Sequence, residues 1–429
     1  MRLAVFTSEY PALATTFFER DVRALLDAGI DVEIFACRPL DPDAWRYSIA
    51  LDDESILPRS SIHHLRLPHG VGHAARAVAR RPATALPLAA ASLASAARYG
   101  ALPFAKTACA LAKGAGWAHT IQAASFDHVM GYWGNYPATS ALLFHRLATP
   151  DVPFSIWLHA STDLFRTPVF MRRKLAYADN IITCCDFNRS YIVGRFANHV
   201  PGLEKRIHVS HHGLDLADFP FVPEGRESHR VIAVGRMCKG KGFEFLLRAA
   251  RLLIARGDDV TVELVGDGDE RDSLQRLATH LGIADSVVFP GWLPFAEVRG
   301  AMSRAALLVH PSTGPGDGLP NVIREAMAVG TPVIGSNVAG IPDALAGGCG
   351  VLVPPCDEVA LAKAMGRLLR DADGRRAIAV RARRRVEADY DLRRNGERLA
   401  RLLWRTRRGR PTRALDDAHQ TGSPLARSA

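Results

Sequence analysis

Two carboxylates follow one predicted strand in the second half of the chain. The apolar run Ala306–Val309 leads into a loop rich in glycine and proline that ends at Asp317, and Glu325 stands inside the predicted helix Asn321–Val329. In a β-α-β unit, the loop after the first strand presents backbone N–H groups at the helix N-terminus, which favours a phosphate or another anion. The spacing therefore predicts an anion site flanked by two acidic side chains. The alternative is an ordinary crossover with a solvated acidic turn.

A basic, glycine-rich loop precedes this acidic segment. The stretch Gly235–Gly242, GRMCKGKG, follows a predicted strand and opens a predicted helix. Its cations Arg236 and Lys241 would lie beside free backbone amides, which suits a diphosphate whose charge must be neutralised. Such a loop alone is weak evidence for a diphosphate site. Because it lies ahead of the acidic pair in the sequence, the two motifs together are stronger evidence for that site than the loop alone.

Together the two motifs resemble a known family. Asp317 precedes G-L-P-N-V-x-x-E-A-M-A-x-G-x-P-V-I, in which the Glu is Glu325. This acidic-x7-acidic pattern resembles the donor-sugar signature of retaining glycosyltransferases of the GT-B fold, glycosyltransferase family 4. The first acidic residue there is more often Glu, so Asp317 is a conservative departure. The resemblance implies that Arg236 and Lys241 clamp the donor diphosphate. It also implies that Asp317 binds hydroxyls of the donor sugar and that Glu325 binds the ribose.

The resemblance assigns further residues to the donor site. The segment WLHASTD is similar to the family's H-A-x-x-D, which implies that His159 lies under the donor sugar and that Asp163 orders the loop. Trp292 either stacks on the nucleobase or serves packing. The implied catalytic residues are His159, Arg236, Lys241 and Asp317, and the implied donor-binding residues are Gly235, Gly291, Trp292, Gly318, Leu319, Pro320, Asn321, Val322 and Glu325.

The acceptor side follows the family less closely. The loop before the first helix resembles a family segment that usually reads S-E-T-F, but Ala14 and Thr15 replace its Ser and Glu. Met130 and Tyr132 stand where relatives often carry two histidines. Thr16 and Tyr132 are the acceptor-side candidates.

Length and composition limit the class of protein. At 429 residues and 48% hydrophobic content, the chain suits two soluble domains. No run of eighteen apolar residues appears and the N-terminus begins with a strand pattern, so we expect no membrane-spanning helix and no signal peptide. The seven cysteines lack CxxC spacing, and the pair His211-His212 has no third ligand spaced to join it. These features favour reduced thiols in a cytoplasmic protein without a bound metal.

The positive charge is concentrated near the C-terminus. The formal charge is +10, and from Arg370 to Arg413 there are sixteen arginines against six acidic residues. Such a segment suits a nucleic acid, an anionic membrane surface or simply a solvated helix. Nucleic-acid binding would need aromatic residues interleaved with the cations, and only Tyr390 and Trp404 occur there, so we predict no nucleic-acid partner.

Strand and helix patterns alternate along both halves, which predicts parallel sheets. The predicted fold is α/β, with two Rossmann-like doubly wound domains facing each other across a cleft, as the resemblance to GT-B proteins implies. The predicted bounds are 1–212 for the acceptor-binding domain, 213–395 for the nucleotide-sugar-binding domain, and 396–429 for a terminal helix end and a basic disordered tail. The predicted strands are Leu3–Thr7, Asp31–Cys37, His128–Tyr132, Phe154–Leu158, Asn180–Thr183, Arg230–Gly235, Val260–Gly266, Ser286–Pro290, Ala306–His310 and Thr331–Gly335.

Two segments depart from this alternation. Residues 74–116 are Ala-rich and basic and contain three prolines. They are interpreted as several short helices that form a lid, a membrane-facing insert or plain helical packing. The terminal helix, Arg375–Leu403, is expected to cross back to the first domain, as in proteins of the GT-B family.

The resemblance implies a function. We expect a retaining hexosyltransferase that moves a sugar from a nucleoside diphosphate sugar to a glycan or lipid-linked acceptor in exopolysaccharide or lipopolysaccharide biosynthesis. No cofactor or metal is expected, and the location is cytoplasmic, with peripheral binding to the inner face of the cell membrane as a further hypothesis. The alternatives are a nonhydrolysing nucleotide-sugar epimerase of the same architecture and a basic nucleic-acid-binding protein.

Overall fold

The computed structural model describes residues 1–11, 16–38, 57–65, 67–121, 126–160 and 162–408. These residues form two parallel sheets, one of seven strands and one of six. The first sheet has the order β3-β2-β1-β4-β5-β6-β7 and the second the order β10-β9-β8-β11-β12-β13. The strands are Arg2–Thr7 (β1), Asp31–Ala36 (β2), Ile62–His64 (β3), His128–Gly131 (β4), Phe154–Leu158 (β5), Asn180–Thr183 (β6), Ile207–Val209 (β7), Glu227–Val234 (β8), Thr261–Val265 (β9), Val287–Gly291 (β10), Ala305–His310 (β11), Val333–Ser336 (β12) and Val351–Val353 (β13).

Helices cover both faces of each sheet. In β1, Leu3 and Val5 belong to one buried cluster while Ala4 and Phe6 belong to another, as the two-residue period of a strand requires. The helices are Thr16–Asp27 (α1), Leu67–Arg80 (α2), Pro82–Ala97 (α3), Ala101–Thr120 (α4), Tyr136–Ala148 (α5), Met171–Tyr177 (α6), Asp186–Phe196 (α7), Phe243–Ile254 (α8), Arg271–His280 (α9), Phe295–Arg304 (α10), Asn321–Val329 (α11), Ile341–Leu345 (α12), Glu358–Arg370 (α13), Ala372–Asp389 (α14) and Leu392–Arg408 (α15).

The predicted fold class is confirmed, and the strands that the sequence did not predict lie at sheet edges. These are β3 and β7 in the first sheet and β13 in the second, each three residues long. An edge strand of this length buries few side chains, so it leaves almost no hydrophobic period in the sequence.

The insert contains longer helices than expected. α3 has 16 residues and α4 has 20. Pro82 stands at the start of α3, where its missing N–H would have no helical partner anyway. Pro103 lies in the first turn of α4 for the same reason, although Pro87 lies inside α3. Proline therefore marks helix starts at two of the three positions rather than helix breaks.

The chain passes between the two domains at two places, near Leu214 and near Asp391, and these two segments are hydrogen-bonded to each other. The Leu214 N–H donates to the Tyr390 carbonyl at 2.7 Å, and the Leu392 N–H donates to the Leu214 carbonyl at 3.0 Å. The predicted terminal helix is interrupted here, so that α14 stays on the second domain and only α15 returns to the first. On α15, Leu399 and Leu403 join the core beneath α1. The predicted disordered tail beyond residue 408 lies outside the described residues.

None of the helices among the described residues combines the length and apolar character needed to cross a membrane.

The return of α15 depends on a small residue at its contact with α1. A Cβ atom on Gly396 would lie 2.5 Å from the Ala24 Cβ and 2.9 Å from the Ala24 carbonyl oxygen. Gly396→Val should therefore force the helices apart and cost about 1–3 kcal/mol of stability, the usual range for overpacking. A lower midpoint of thermal unfolding would report this loss.

Arg398→Val places the same side chain on the exposed face of α15 and should change stability by no more than about 0.5 kcal/mol. Equal losses in the two variants would contradict the docked position of α15.

Candidate functional site

A cleft of about 1090 Å³ lies between the domains, lined by residues of both. It opens at the carboxyl ends of both sheets. The strand order reverses between β1 and β4 in the first sheet and between β8 and β11 in the second. Ligands of open parallel sheets bind at such reversal points, because the loops on either side diverge and leave a crevice.

Asp317 is the centre of a polar cluster in the wall of the cleft. Its Oδ1 pairs with the Lys241 ammonium at 2.7 Å, and its Oδ2 accepts from the His310 Nε2 at 2.8 Å. The Ser312 hydroxyl also donates to Oδ2. Both carboxylate oxygens therefore already have charged or polar partners, and the carboxylate is held in one orientation.

Electrostatics keep Asp317 ionised. Burial opposes ionisation, but the hydrogen bond from His310 and the charge of Lys241 outweigh it and hold the pKa of Asp317 well below its ordinary value. Burial and the nearby Lys241 lower the pKa of His310, so its ring is neutral at pH 7 and donates to the carboxylate through Nε2–H. The cation that balances Asp317 is therefore Lys241.

Lys241 is positioned by a glycine turn. It ends the 3-10 turn Lys239–Lys241, and Gly242 follows with a φ of +65° before α8 begins. A Cβ atom on Gly242 would collide with the Pro311 carbonyl oxygen. Only glycine combines this left-handed conformation with so close an approach. The turn thus brings the loop after β8 against the loop after β11.

The N-terminus of α11 also faces the cleft. Gly318 has a φ of +59°, and a Cβ on it would lie 2.9 Å from the Ala160 Cβ in the first domain. The helix follows Pro320, which offers no side-chain hydrogen bond to cap it. An uncapped helix N-terminus carries free N–H groups and partial positive charge, which favours an anion.

Glu325, one turn inside α11, pairs across the cleft. Its Oε1 accepts from Arg20 Nη1 of α1 at 3.0 Å, and the two side chains are only 11% and 9% exposed. The Arg20 guanidinium also lies 5.1 Å from the ring centroid of Phe295. This contact joins the two domains inside the cleft.

His159 lies at the end of β5 on the opposite wall. Its backbone N–H donates to Asp163 Oδ2 at 3.1 Å, and the Asn135 N–H donates to Asp163 Oδ1 at 3.2 Å. Asp163 therefore orders the loop. The ring nitrogens of His159 have no hydrogen-bond partner among the described residues, and the side chain lines the cleft. Both nitrogens are buried, and Nδ1 lies 3.8 Å from Asp163 Oδ2.

A second buried network supports this wall. Asp21 Oδ2 accepts from His212 Nδ1 at 2.6 Å and from the Tyr132 hydroxyl. The His212 and His159 rings are parallel with centroids 5.2 Å apart. Burial alone would lower the pKa of His212, but Asp21 and the neighbouring Cys184 outweigh burial and raise it.

The structure brings most of the predicted site residues together. The cleft is lined by His159, Gly235, Lys241, Asp317, Gly318, Leu319, Pro320, Asn321, Val322 and Glu325.

Four predicted residues whose side chains the structure describes are not among those that line the cleft. Arg236 is exposed, and Trp292 is 50% exposed beyond Gly291, at the end of β10. Tyr132 is buried beneath the wall, with its ring centroid 5.1 Å from that of His159. Thr16 begins α1, but its side chain lies outside the described part of the structure; the next residue, Phe17, lines the cleft.

The sequence interpretation overlooked the charged residues of α1. Arg20 and Asp21 are both buried, with exposures of 8% and 6%. A signal was present, because Asp21 lies three residues after Phe18 and four before Leu25, on the apolar stripe of the helix. A charge at such a position requires a buried partner, which the sequence did not identify.

No three His, Cys, Asp or Glu side chains are grouped to hold a metal ion in the part of the chain that the structure describes.

Comparison with known proteins gives four matches that bear on this chain. Residues 228–371 match the family model for group 1 glycosyl transferases. A protein of Salmonella typhimurium named as a colanic acid biosynthesis glycosyltransferase is 32% identical over 207 residues, which are 46% of this chain and 51% of that protein. An amylovoran biosynthesis glycosyltransferase of Erwinia amylovora is 26% identical over 420 residues, 94% of this chain and all of that protein. The solved structure of Anabaena HepE in complex with UDP has a TM-score of 0.64 at 16% identity and covers 94% of this chain and 99% of that one.

Two parallel-sheet domains with this topology, and the likeness to the solved HepE structure across nearly the whole chain, define the GT-B fold. The match to the model for group 1 glycosyl transferases, together with relatives named as glycosyltransferases, confirms the predicted resemblance to this family. The family model lies in the second domain, and the chain spans about half the length of the first curated relatives it matches.

His211 and His212 precede Leu214, which contacts the segment between α14 and α15. Their contributions to the free energy of unfolding should depend on pH in opposite directions. The pKa of His212 is raised in the folded protein. Protonated His212 therefore stabilises the fold fully at a pH below the unfolded-state pKa of about 6.5. This stabilisation is lost as the pH rises through the folded-state pKa. Chemical denaturation should show that His212→Gln loses most stability at acidic pH and less at alkaline pH.

His211→Gln is the matched comparison. Burial lowers the pKa of His211, so protonation of this residue favours unfolding as pH falls. The stability of this variant relative to the wild type should rise toward acidic pH. Parallel pH profiles for the two variants would contradict the assigned environments.

Proposed function

We propose that the chain is a retaining hexosyltransferase that uses a nucleoside diphosphate sugar as donor and a glycan or lipid-linked molecule as acceptor. One observation carries the proposal. Lys241, Asp317 and Glu325 of the second domain and His159 of the first line the same cleft, beside the uncapped N-terminus of α11. A cation, an anion-binding helix end and hydroxyl-binding acids are the groups that a sugar diphosphate needs.

The donor would exchange partners with the protein. Its diphosphate would take Lys241 from Asp317 and accept from the amides that follow Gly318. The freed Asp317 and the ring of His159 would then bind hydroxyls of the sugar between the domains. Ribose hydroxyls would take Glu325 from Arg20. After the first exchange Asp317 would keep its hydrogen bonds from His310 and Ser312, so its buried charge would not be isolated.

Retention is best explained by attack from the leaving-group side. The bond from the anomeric carbon to the diphosphate oxygen breaks, and its electron pair goes to the diphosphate. The acceptor hydroxyl bonds to the same face and gives its proton to the departing phosphate oxygen. Asp163 is a poor covalent nucleophile because both of its oxygens accept backbone N–H bonds. Lys241 and α11 stabilise the charge that develops on the diphosphate.

The biological setting is proposed from the names of similar proteins. They belong to amylovoran and colanic acid biosynthesis, which supports a role in exopolysaccharide or lipopolysaccharide assembly. HepE was solved with UDP and with UDP-glucose, so these are the first donor ligands to test. We further propose a cytoplasmic location with peripheral binding to the inner face of the cell membrane. Free cysteines agree with a reducing compartment.

Donor binding can be tested with two substitutions. Glu325→Gln and Lys241→Ala each remove a charge-assisted bond worth roughly 1.5–3 kcal/mol, so each should weaken binding of a nucleoside diphosphate about tenfold to a hundredfold. Isothermal titration calorimetry with UDP, GDP and dTDP measures the change.

Lys239→Ala is the matched control, because Lys239 is exposed in the same turn. It should keep wild-type affinity. If Glu325→Gln and Lys241→Ala also kept wild-type affinity for every nucleotide, the donor site would be assigned wrongly. Formation of an epimerised nucleotide sugar without any acceptor would favour the epimerase.

We also propose that transfer needs no metal ion, since Lys241 and the α11 N-terminus supply positive charge to the diphosphate. Activity should therefore persist in EDTA, as measured by release of the nucleoside diphosphate. Complete loss in EDTA with recovery on adding Mg²⁺ or Mn²⁺ would refute metal independence while leaving the donor site in place.

A further inference from the structure

The turn between α3 and α4 exposes apolar side chains to an unusual degree. Tyr99, Leu102 and Phe104 are 41%, 63% and 42% exposed. They lie within six residues of one another around Gly100, whose φ of +106° makes the turn. Scattered exposed apolar residues are normal, whereas a cluster of them marks an interaction surface. We name Tyr99–Lys106 the apolar corner.

This apolar corner is continuous with the candidate active site. Leu102, Pro103 and Lys106 also line the cleft, on the side of the first domain. Whatever covers the apolar corner therefore lies at the entrance through which an acceptor would reach His159.

Cations flank the apolar side chains. Arg98 precedes the turn and Lys106 follows it, both exposed, and Arg166 lines the same half of the cleft. Exposed aromatic and aliphatic side chains with basic neighbours suit the interface of an anionic bilayer. A stable protein interface needs about 20–30 residues on each side, and the apolar corner is much smaller.

The arginine-rich C-terminal segment is a weaker candidate for the same partner. In α14, Arg375 donates to the Leu368 carbonyl at 2.6 Å and Arg383 to the Phe219 carbonyl at 2.7 Å. Arg381 and Arg385 likewise donate to backbone carbonyls, at 2.9 Å and 3.0 Å. These guanidinium groups make hydrogen bonds within the protein, so they are less able to bind an anionic partner.

We propose that the apolar corner docks the protein on an anionic lipid bilayer, with the cleft opening at the membrane surface. This inference rests on the proposed transferase function and narrows its acceptor to a membrane lipid. A phosphate that links the lipid tail to its sugar would meet Lys106 and Arg166, while the tail remains in the bilayer. The sugar would then extend into the cleft toward His159.

Co-sedimentation with vesicles tests the docking. The wild type should bind vesicles of phosphatidylglycerol and phosphatidylcholine, less strongly at high salt, and bind phosphatidylcholine vesicles weakly. The double variant Tyr99→Ser, Phe104→Ser, at two corner residues outside the cleft lining, should bind the mixed vesicles at least about tenfold less, because the apolar contribution to insertion is lost.

Two double variants are controls. Val288→Ser, Val359→Ser removes apolar residues that are 44% and 62% exposed on the second domain, and should bind the mixed vesicles normally. Arg393→Gln, Arg398→Gln removes exposed charges from α15, and should reduce binding less than the corner variant does. Midpoints of thermal unfolding verify that all variants fold.

The docking proposal is overturned if the wild type fails to bind the mixed vesicles. It is also overturned if the corner variant binds like the wild type, or if only the α15 variant loses binding. UDP affinity is measured in parallel and should be unchanged in the corner variant. If the wild type binds vesicles but no nucleoside diphosphate, the docking surface stands and the proposed transferase function fails.

Discussion

Charges buried between the two domains must be paired, and this requirement determines how the cleft is built. Arg20 of the first domain meets Glu325 of the second at 3.0 Å, and His212 at the hinge meets Asp21 at 2.6 Å. Arg324, fully buried in α11, donates to the His212 carbonyl. An isolated buried ion costs several kcal/mol, so each pair constrains the position of one domain against the other. Because α1 supplies both Arg20 and Asp21, the docking of α15 on α1 also supports the cleft.

The ion pair in the wall of the cleft also matters for the proposed reaction. Lys241 neutralises Asp317 across two neighbouring loops, and a diphosphate that displaces this carboxylate leaves it free to bind the sugar. The rigid parts of the site are glycine turns and short helices, which hold their charges before any ligand arrives. Preorganised charge of this kind stabilises a developing anion without further rearrangement. The Arg20–Glu325 contact adds a link between ribose binding and the relative position of the domains.

Regular periodicity made most of the fold predictable. The strand pairs that flank each reversal point were identified from sequence because they are apolar runs with helices between them. The edge strands β3, β7 and β13 were missed, since each has only three residues. The sequence interpretation offered the arginines of α14 as a surface for an anionic partner, yet several of them donate to carbonyls in neighbouring loops. The sequence gives the number of charged residues but does not show which of them make hydrogen bonds within the folded protein.

The sequence by itself determined the two-domain α/β class, the basic loop around Lys241 and the acidic pair Asp317 and Glu325. These signals are local, because each depends on spacing within one β-α unit. Only the tertiary structure decided that His159 faces this acidic pair across a cleft, and that Arg20 is the partner of Glu325. Residues 305 positions apart leave no periodic trace of their contact. Their partnership arises from burial, since the low-dielectric space between two packed domains makes an unpaired charge too costly.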